Sequence, residues 1–173
     1  MTSPYAGLPP RSYWSRGVRD QERGFIEDLY RKRFNIDQTT RVATAGSCFA
    51  QHIGRHLRRR GFSVIDAEPG PNGLSREERA AFGYGLFSAR YANVYTAQQM
   101  LQLAREALGE WTPTNIVWTK DGRYFDALRP SVEPAGLTSA EELFAHRRDH
   151  LGRVRNVLEQ AEVFVFTLGL TEA

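Results

Sequence analysis

One cysteine, Cys48, stands in a chain of 173 residues. A single thiol excludes an internal disulfide and offers no zinc-ribbon spacing. The sequence also lacks any apolar run of membrane-spanning length. Its opening, MTSPYAGLPPRSYW, lacks the basic-then-apolar pattern of a secretory signal. A reduced, cytoplasmic setting without a membrane partner is the expectation. There is no internal repeat and no low-complexity tract. Excess charge of one sign is scarce too. The formal net charge is +3, and the basic residues are spread out except for HIGRHLRRRG at 52–61. That run could meet phosphates, or it could be a charged helix end, with Arg58, Arg59 and Arg60 complementing the dipole before Gly61. The second reading leaves nucleic acid out of the expected partners.

What is present is globular: 41% apolar and 25% charged residues, enough for one domain with a sizeable core. Residues 1–16, rich in Pro, Ser and aromatics, read as an extended arm that Tyr5, Tyr13 and Trp14 pin to the body. Val18, Phe25, Ile26 and Leu29 have helical spacing and predict a first helix within 18–34. Val42 to Ala45 predicts a strand, Gly46 a turn, and the residues from Ser47 to Gly61 a helix. Phe62 to Asp66 predicts a second strand, and 68–75 a loop. The glycine- and tyrosine-rich stretch 81–96 has no clear assignment. Thr96 and Gln99 form a capping box for a helix whose apolar face carries Met100, Leu101, Leu103, Ala104, Ala107 and Leu108. Asp121–Gly122 predicts a hairpin turn between strands ending near Trp118 and Phe125. A long helix is expected over 139–160, capped by Ser139 and Glu142, with Leu143, Leu151, Val154 and Leu158 inward. Val163 to Thr167 closes the pattern as a continuous apolar strand.

A strand, a crossover helix and another apolar strand imply an α/β fold with a parallel sheet. Val163 to Thr167 has the composition of a central strand, and few strands precede it. The chain is therefore expected to be the N-terminal part of a larger domain: an arm over 1–16, then a domain over 17–173 incomplete at its C-terminal side.

In open α/β sheets, sites form beyond the carboxyl ends of strands. Two such loops stand out, Gly46-Ser47-Cys48 and Gly169-Leu170-Thr171-Glu172. If their strands are neighbours, Ser47 and Thr171 face one cleft. A hydroxyl at a helix N-terminus suits a nucleophile, because free backbone N–H groups can stabilise a developing oxyanion. It equally suits an ordinary N-cap serine. His52 lies roughly 140° around the helix from Ser47, so it does not serve Ser47 as a base. Cys48 and His52 share a stripe at i and i+4, which opens thiol chemistry as an alternative to a small buried cysteine beside a hydrogen-bonded histidine. His52 and His56 have metal-ligand spacing, but Cys48 and His56 lie about 12 Å apart along the axis, so no metal site is expected. Asp126, Arg129 and His52 are candidate substrate-binding residues, and Asp126 and Arg129 could instead form a local ion pair of small energetic value. His146 and His150, among Arg147, Arg148 and Asp149, read as a solvated helix face.

GSCFA at 46–50 is the signature of the GSCFA domain family, and the resemblance extends further. RSYW, ATAGSCFAQHI, SARYANVYTA, DALRPSVEPAGLTSAEEL and VFVFTLGLTEA all resemble that family, in its order. The family is grouped by resemblance with the SGNH hydrolases, three-layer flavodoxin-like enzymes that cleave or transfer acyl esters, often acetyl groups on glycans. The resemblance implies that Ser47 is the nucleophile and that its N–H, with that of Cys48, contributes to the oxyanion hole. Asn93 falls in the second block, where the family often reads Gly-Asn and this chain reads Ala92-Asn93. Gly169 and Thr171 fall in the third, with Thr171 where an asparagine is usual. The superfamily's Asp-x-x-His would lie beyond residue 173. The expected activity is a serine esterase or O-acyltransferase acting on a small-molecule or glycan ester, without a cofactor. The alternative is a non-catalytic glycan- or protein-binding module.

Overall fold

The computed structural model describes residues 3–22, 24–26 and 28–169. Contacts divide the chain into two units, Met1–Ile36 and Asp37–Ala173. In the first, a 3-10 turn at Pro10–Ser12 leads into a π turn at Ser15–Arg19. The Tyr13 hydroxyl donates to the Tyr5 carbonyl, and the Arg16 guanidinium lies 3.9 Å above the Tyr13 ring. Trp14 is exposed. The helix expected within 18–34 is absent among the described residues beyond Arg19. Gly24 and Asp28 take positive φ values of 93° and 56°, and Phe25, Ile26, Leu29, Tyr30 and Phe34 are exposed. An amphipathic stripe stabilises a helix only when something covers it, and among the described residues of this unit these side chains stay exposed.

The second unit is α/β. Strand β1 (Val42–Gly46) is followed by helix α1 (Cys48–Arg59), short helix α2 (Arg76–Ala81) and α3 (Ala97–Ala107). Strands β2 (Val117–Lys120) and β3 (Arg123–Asp126) form a hairpin, and α4 (Ala140–Gln160) leads into β4 (Val163–Thr167). β1 and β4 pair in parallel, from Val42 opposite Val163 to Gly46 opposite Thr167. On the other side of β1, the strand expected at Phe62 to Asp66 shrinks to one parallel bridge, Val64 to Val42.

Local signals account for most of these elements. Gly61, at φ 80°, ends α1 after its basic last turn. The Thr96–Gln99 capping box opens α3. Asp121 and Gly122 both take positive φ (52° and 71°), as a two-residue hairpin turn of this hand requires. Ser139 caps α4 by accepting from the Glu142 amide, while the Glu142 carboxylate reaches Thr138 instead.

β1 is buried along its whole length. Its small residues let α1 approach closely: a Cβ on Gly54 would lie 3.2 Å from Thr44 Oγ1. Around β1, Ala43, Ala45, Ala50, Phe87, Ala89, Tyr91, Val94, Val154 and Val157 form the core. The inward stripe of α4 runs Leu143, Arg147, His150, Val154 and Val157. Two of its five members are therefore polar. This corrects the solvated-face reading of Arg147 and His150, which are 4% and 0% exposed. Among the described residues, no helix is long and apolar enough to cross a membrane.

Candidate functional site

The parallel pairing of β1 and β4 sets the carboxyl ends of both strands side by side, with Gly46 opposite Thr167. Gly46 has φ 133°, and a Cβ there would lie 2.5 Å from both Thr167 O and Thr167 Oγ1. Only glycine fits that turn. It delivers Ser47 to the N-terminus of α1 in an extended conformation, with its side chain making no capping hydrogen bond. The Ser47 hydroxyl lies 3.1 Å from Thr167 Oγ1, and the residue is buried, at 8% exposure.

The loop before α3 completes the wall. The Val94 amide donates to Gly46 O at 2.9 Å, which fastens Ala92-Asn93 beside the turn. Ala92 takes φ 59°, a conformation that glycine adopts without the Cβ penalty. Asn93 is exposed, and its Nδ2 donates to the Tyr95 hydroxyl at 3.2 Å. A Cβ on Gly169 would lie 2.7 Å from Tyr95 Cδ1 and 3.0 Å from Ser47 Cβ, so this glycine is needed for close packing against the serine.

The main-chain donors divide into two groups. The Ser47 amide donates to Thr167 O (3.2 Å) and Oγ1 (3.1 Å), and the Gly169 amide to Tyr95 O (3.0 Å). Two of the expected oxyanion donors, the Ser47 and Gly169 amides, are thus engaged within the protein. The Cys48 and Phe49 amides have no acceptor inside the helix by geometry, and the serine side chain supplies none. Cys48 is exposed at the first position of α1.

His52, also exposed, stacks obliquely near Phe49, with ring centroids 6.4 Å apart. His56 is exposed on the same helix. Among the described residues, no group of three or more His, Cys, Asp and Glu side chains could hold a metal ion. Thr171, with Leu170 and Glu172, lies outside the described residues.

Asp126 and Arg129 belong to a different place. Asp126 Oδ1 accepts from Leu128 N (3.1 Å) and Arg147 Nη1 (2.9 Å); Oδ2 accepts from Arg129 Nε (2.9 Å) and Arg147 Nη1 (2.8 Å). Four accepted bonds occupy the lone pairs of a carboxylate. Arg147 also grips Glu106 of α3 through Nε and Nη2, joining β3, α3 and α4. The ion pair foreseen as a weak local contact is thus a buried network, and such pairs are costly to break. Burial pushes the Asp126 carboxyl up, but Arg147 and Arg129 more than reverse this and hold it below its ordinary value.

Glu68, placed in a loop by its sequence, is the second hub. It accepts from the Arg90 amide (2.7 Å) and meets His150 Nδ1 (2.8 Å). Burial raises its carboxyl, yet the bond and charge of His150, the Arg90 amide and Arg129 bring it down to about 2. Burial lowers the His150 imidazole despite Glu68. A cavity of about 140 Å³ lies beside these groups, lined among others by Asn93, Leu103, Trp111, Arg147 and His150.

Thr167, the hydrogen-bond partner of Ser47, the buried residues Glu68, Arg90 and Arg147, and half-buried Glu106 were not singled out by sequence reasoning. For Thr167 the sequence showed only that it ends an apolar strand; the register that brings it opposite Gly46 comes from the fold. For the others the pairing partners are remote in sequence, so no local pattern marks them.

No curated protein and no solved structure matches the chain. Residues 41–173, a stretch that includes β1, Ser47 and β4, match the GSCFA family, and the chain belongs to that family.

Proposed function

We propose that the protein is a serine esterase or O-acyltransferase working through an acyl-Ser47 intermediate, on a three-layer SGNH-like sheet. One observation carries the reading: Ser47 stands at a helix N-cap and does not spend its hydroxyl on capping. In an ordinary N-cap serine that hydroxyl accepts from the second or third amide of the helix. Here it is turned to Thr167 Oγ1, and the helix start keeps its donors.

In the reaction, Ser47 Oγ attacks the ester carbonyl and loses its proton to a base. The oxyanion forms at the Cys48 amide, with Asn93 at the rim and Thr171 as a further donor. The alcohol leaves with a proton, and water or an acceptor hydroxyl then releases the acyl group from Ser47. Among the described residues, Ser47 Oγ has a threonine hydroxyl as partner rather than an imidazole. The reading therefore assigns the base to a histidine of an Asp-x-x-His segment outside this sequence. The substrate is a small-molecule or glycan ester met in the cytoplasm, and no cofactor enters the scheme.

That same threonine partner favours the second reading, a glycan- or protein-binding module on this sheet. Intact mass after exposure to a fluorophosphonate separates them, using the full gene product beside Ser47→Ala and Cys48→Ala. An adduct lost only in Ser47→Ala is the expected result. No adduct on a folded protein would transfer the assignment to the binding module. An adduct lost only in Cys48→Ala would instead establish thiol chemistry.

A further inference from the structure

Gln51, Arg55, Arg58 and Arg59 fall at i, i+4, i+7 and i+8 of α1, a single stripe of the helix. All four line a concavity of about 330 Å³, which Arg76 closes from α2 and Gly85 and Leu86 complete. Four guanidinium groups from two helices thus converge on one space. Among the described residues, no carboxylate lines it. Among the described residues, none of these four arginines makes an ion pair.

Arg58 is the anchored member. Its Nη1 donates to Gly85 O at 3.1 Å and its Nη2 to Phe87 O at 3.4 Å, so main-chain carbonyls hold it against the rim. Among the described residues, Arg55, Arg59 and Arg76 have no such tether. A charged helix end explains cations in the last turn of α1. It does not explain Arg55, which lies before that turn, or Arg76, which belongs to another helix.

Like charges gathered without a counter-charge repel, and the repulsion is relieved when an anion enters. Guanidinium forks match the tetrahedral oxyanions of phosphate by paired N–H···O bonds, which a carboxylate offers on one edge only. We propose that this concavity is a binding site for a small molecule carrying phosphate groups. The site does not depend on the chemistry of Ser47.

The test uses the full chain and pyrophosphate as the probe, by calorimetry and thermal melting, with sodium chloride at matched ionic strength as reference. Saturable binding and a raised melting temperature are expected with pyrophosphate alone. Arg55→Gln and Arg59→Gln should each weaken binding on the order of 10-fold. Arg153→Gln, on the exposed side of α4 where Arg153 pairs with Asp149, should leave it unchanged. Arg58 is left intact because its tethers are part of the fold. No saturable binding, or equal weakening by Arg153→Gln, would overturn the proposal. So would tighter binding of single-stranded oligonucleotides that grows with their length, which would mark a surface for long polyanions. Melting curves of the unliganded variants show whether each has folded.

Discussion

Arg90, Arg129 and Arg147 on one side, and Arg55, Arg59 and Arg76 on the other, are the same residue in opposite circumstances. The first three are 4–6% exposed, and each meets a carboxylate: Glu133 for Arg90, Asp126 and Glu68 for Arg129, Asp126 and Glu106 for Arg147. The second three reach solvent and meet no carboxylate among the described residues. Burial of a cation demands a partner, whereas exposure leaves it available to a ligand. The difference sorts structural arginines from candidate binding arginines, which composition cannot do.

The sharpest way to break this contrast is to strip one buried carboxylate. Asp126→Ala leaves Arg129 and Arg147 without their shared counter-charge, so stability should fall by about 3–5 kcal/mol in urea denaturation. Arg59→Gln, measured the same way, should stay within about 0.5 kcal/mol of the parent protein. Equal effects would mean that burial does not distinguish the two sets.

Acid should attack the paired region next. Glu68 titrates near 2 when folded and near its ordinary 4.5 when unfolded. Its contribution is therefore present above the unfolded value and lost as pH falls from 4.5 towards 2. His150 is held below its ordinary 6.5, so the unfolded chain takes up that proton first. Stability again declines as pH drops through the unfolded value. Denaturation free energy should therefore fall between pH 7 and pH 3 as this pair titrates, first through His150 and then through Glu68. Glu68→Gln should flatten the part of the curve below pH 4.5, and an unchanged slope there would remove Glu68 from the account.

A smaller effect is expected where the paired network hands over to the Ser47 turn. The segment from Arg90 to Val94 is tied at one end to Glu68 and Arg129 and at the other to Gly46. Between them Ala92 sits at φ 59°. Ala92→Gly should stabilise the protein by about 1 kcal/mol, read as a rise in melting temperature. A loss of stability would show that the alanine methyl contributes packing that outweighs the strain.

Much of the fold was legible because its signals are local. The Thr96–Gln99 box, the Ser139 cap, the Asp121–Gly122 turn and Gly61 after α1 each act over a few residues, and each opens or ends the element expected of it. Where a signal needed a distant partner, it misled. Phe25, Ile26 and Leu29 have helical spacing but stay exposed, uncovered among the described residues of their unit. Phe62 to Asp66 has strand composition but meets β1 at a single bridge. At the site, Ser47 and its glycine were legible, while Thr167 was not, because the contact depends on β4 arriving in register beside β1.

The sequence by itself determined the strand–glycine–serine–helix unit, the hairpin, the capped helices and membership in the GSCFA family. Caps, turns and periodicity are set by neighbouring residues, and a signature is read letter by letter. Only the tertiary structure decided that the Ser47 hydroxyl faces Thr167, that His150 is buried against Glu68, and which arginines have carboxylates to meet. Those outcomes join groups 120, 82 and 3 positions apart. Even the shortest of these separations acquired its burial from helices elsewhere in the chain, since desolvation is a property of the packed whole.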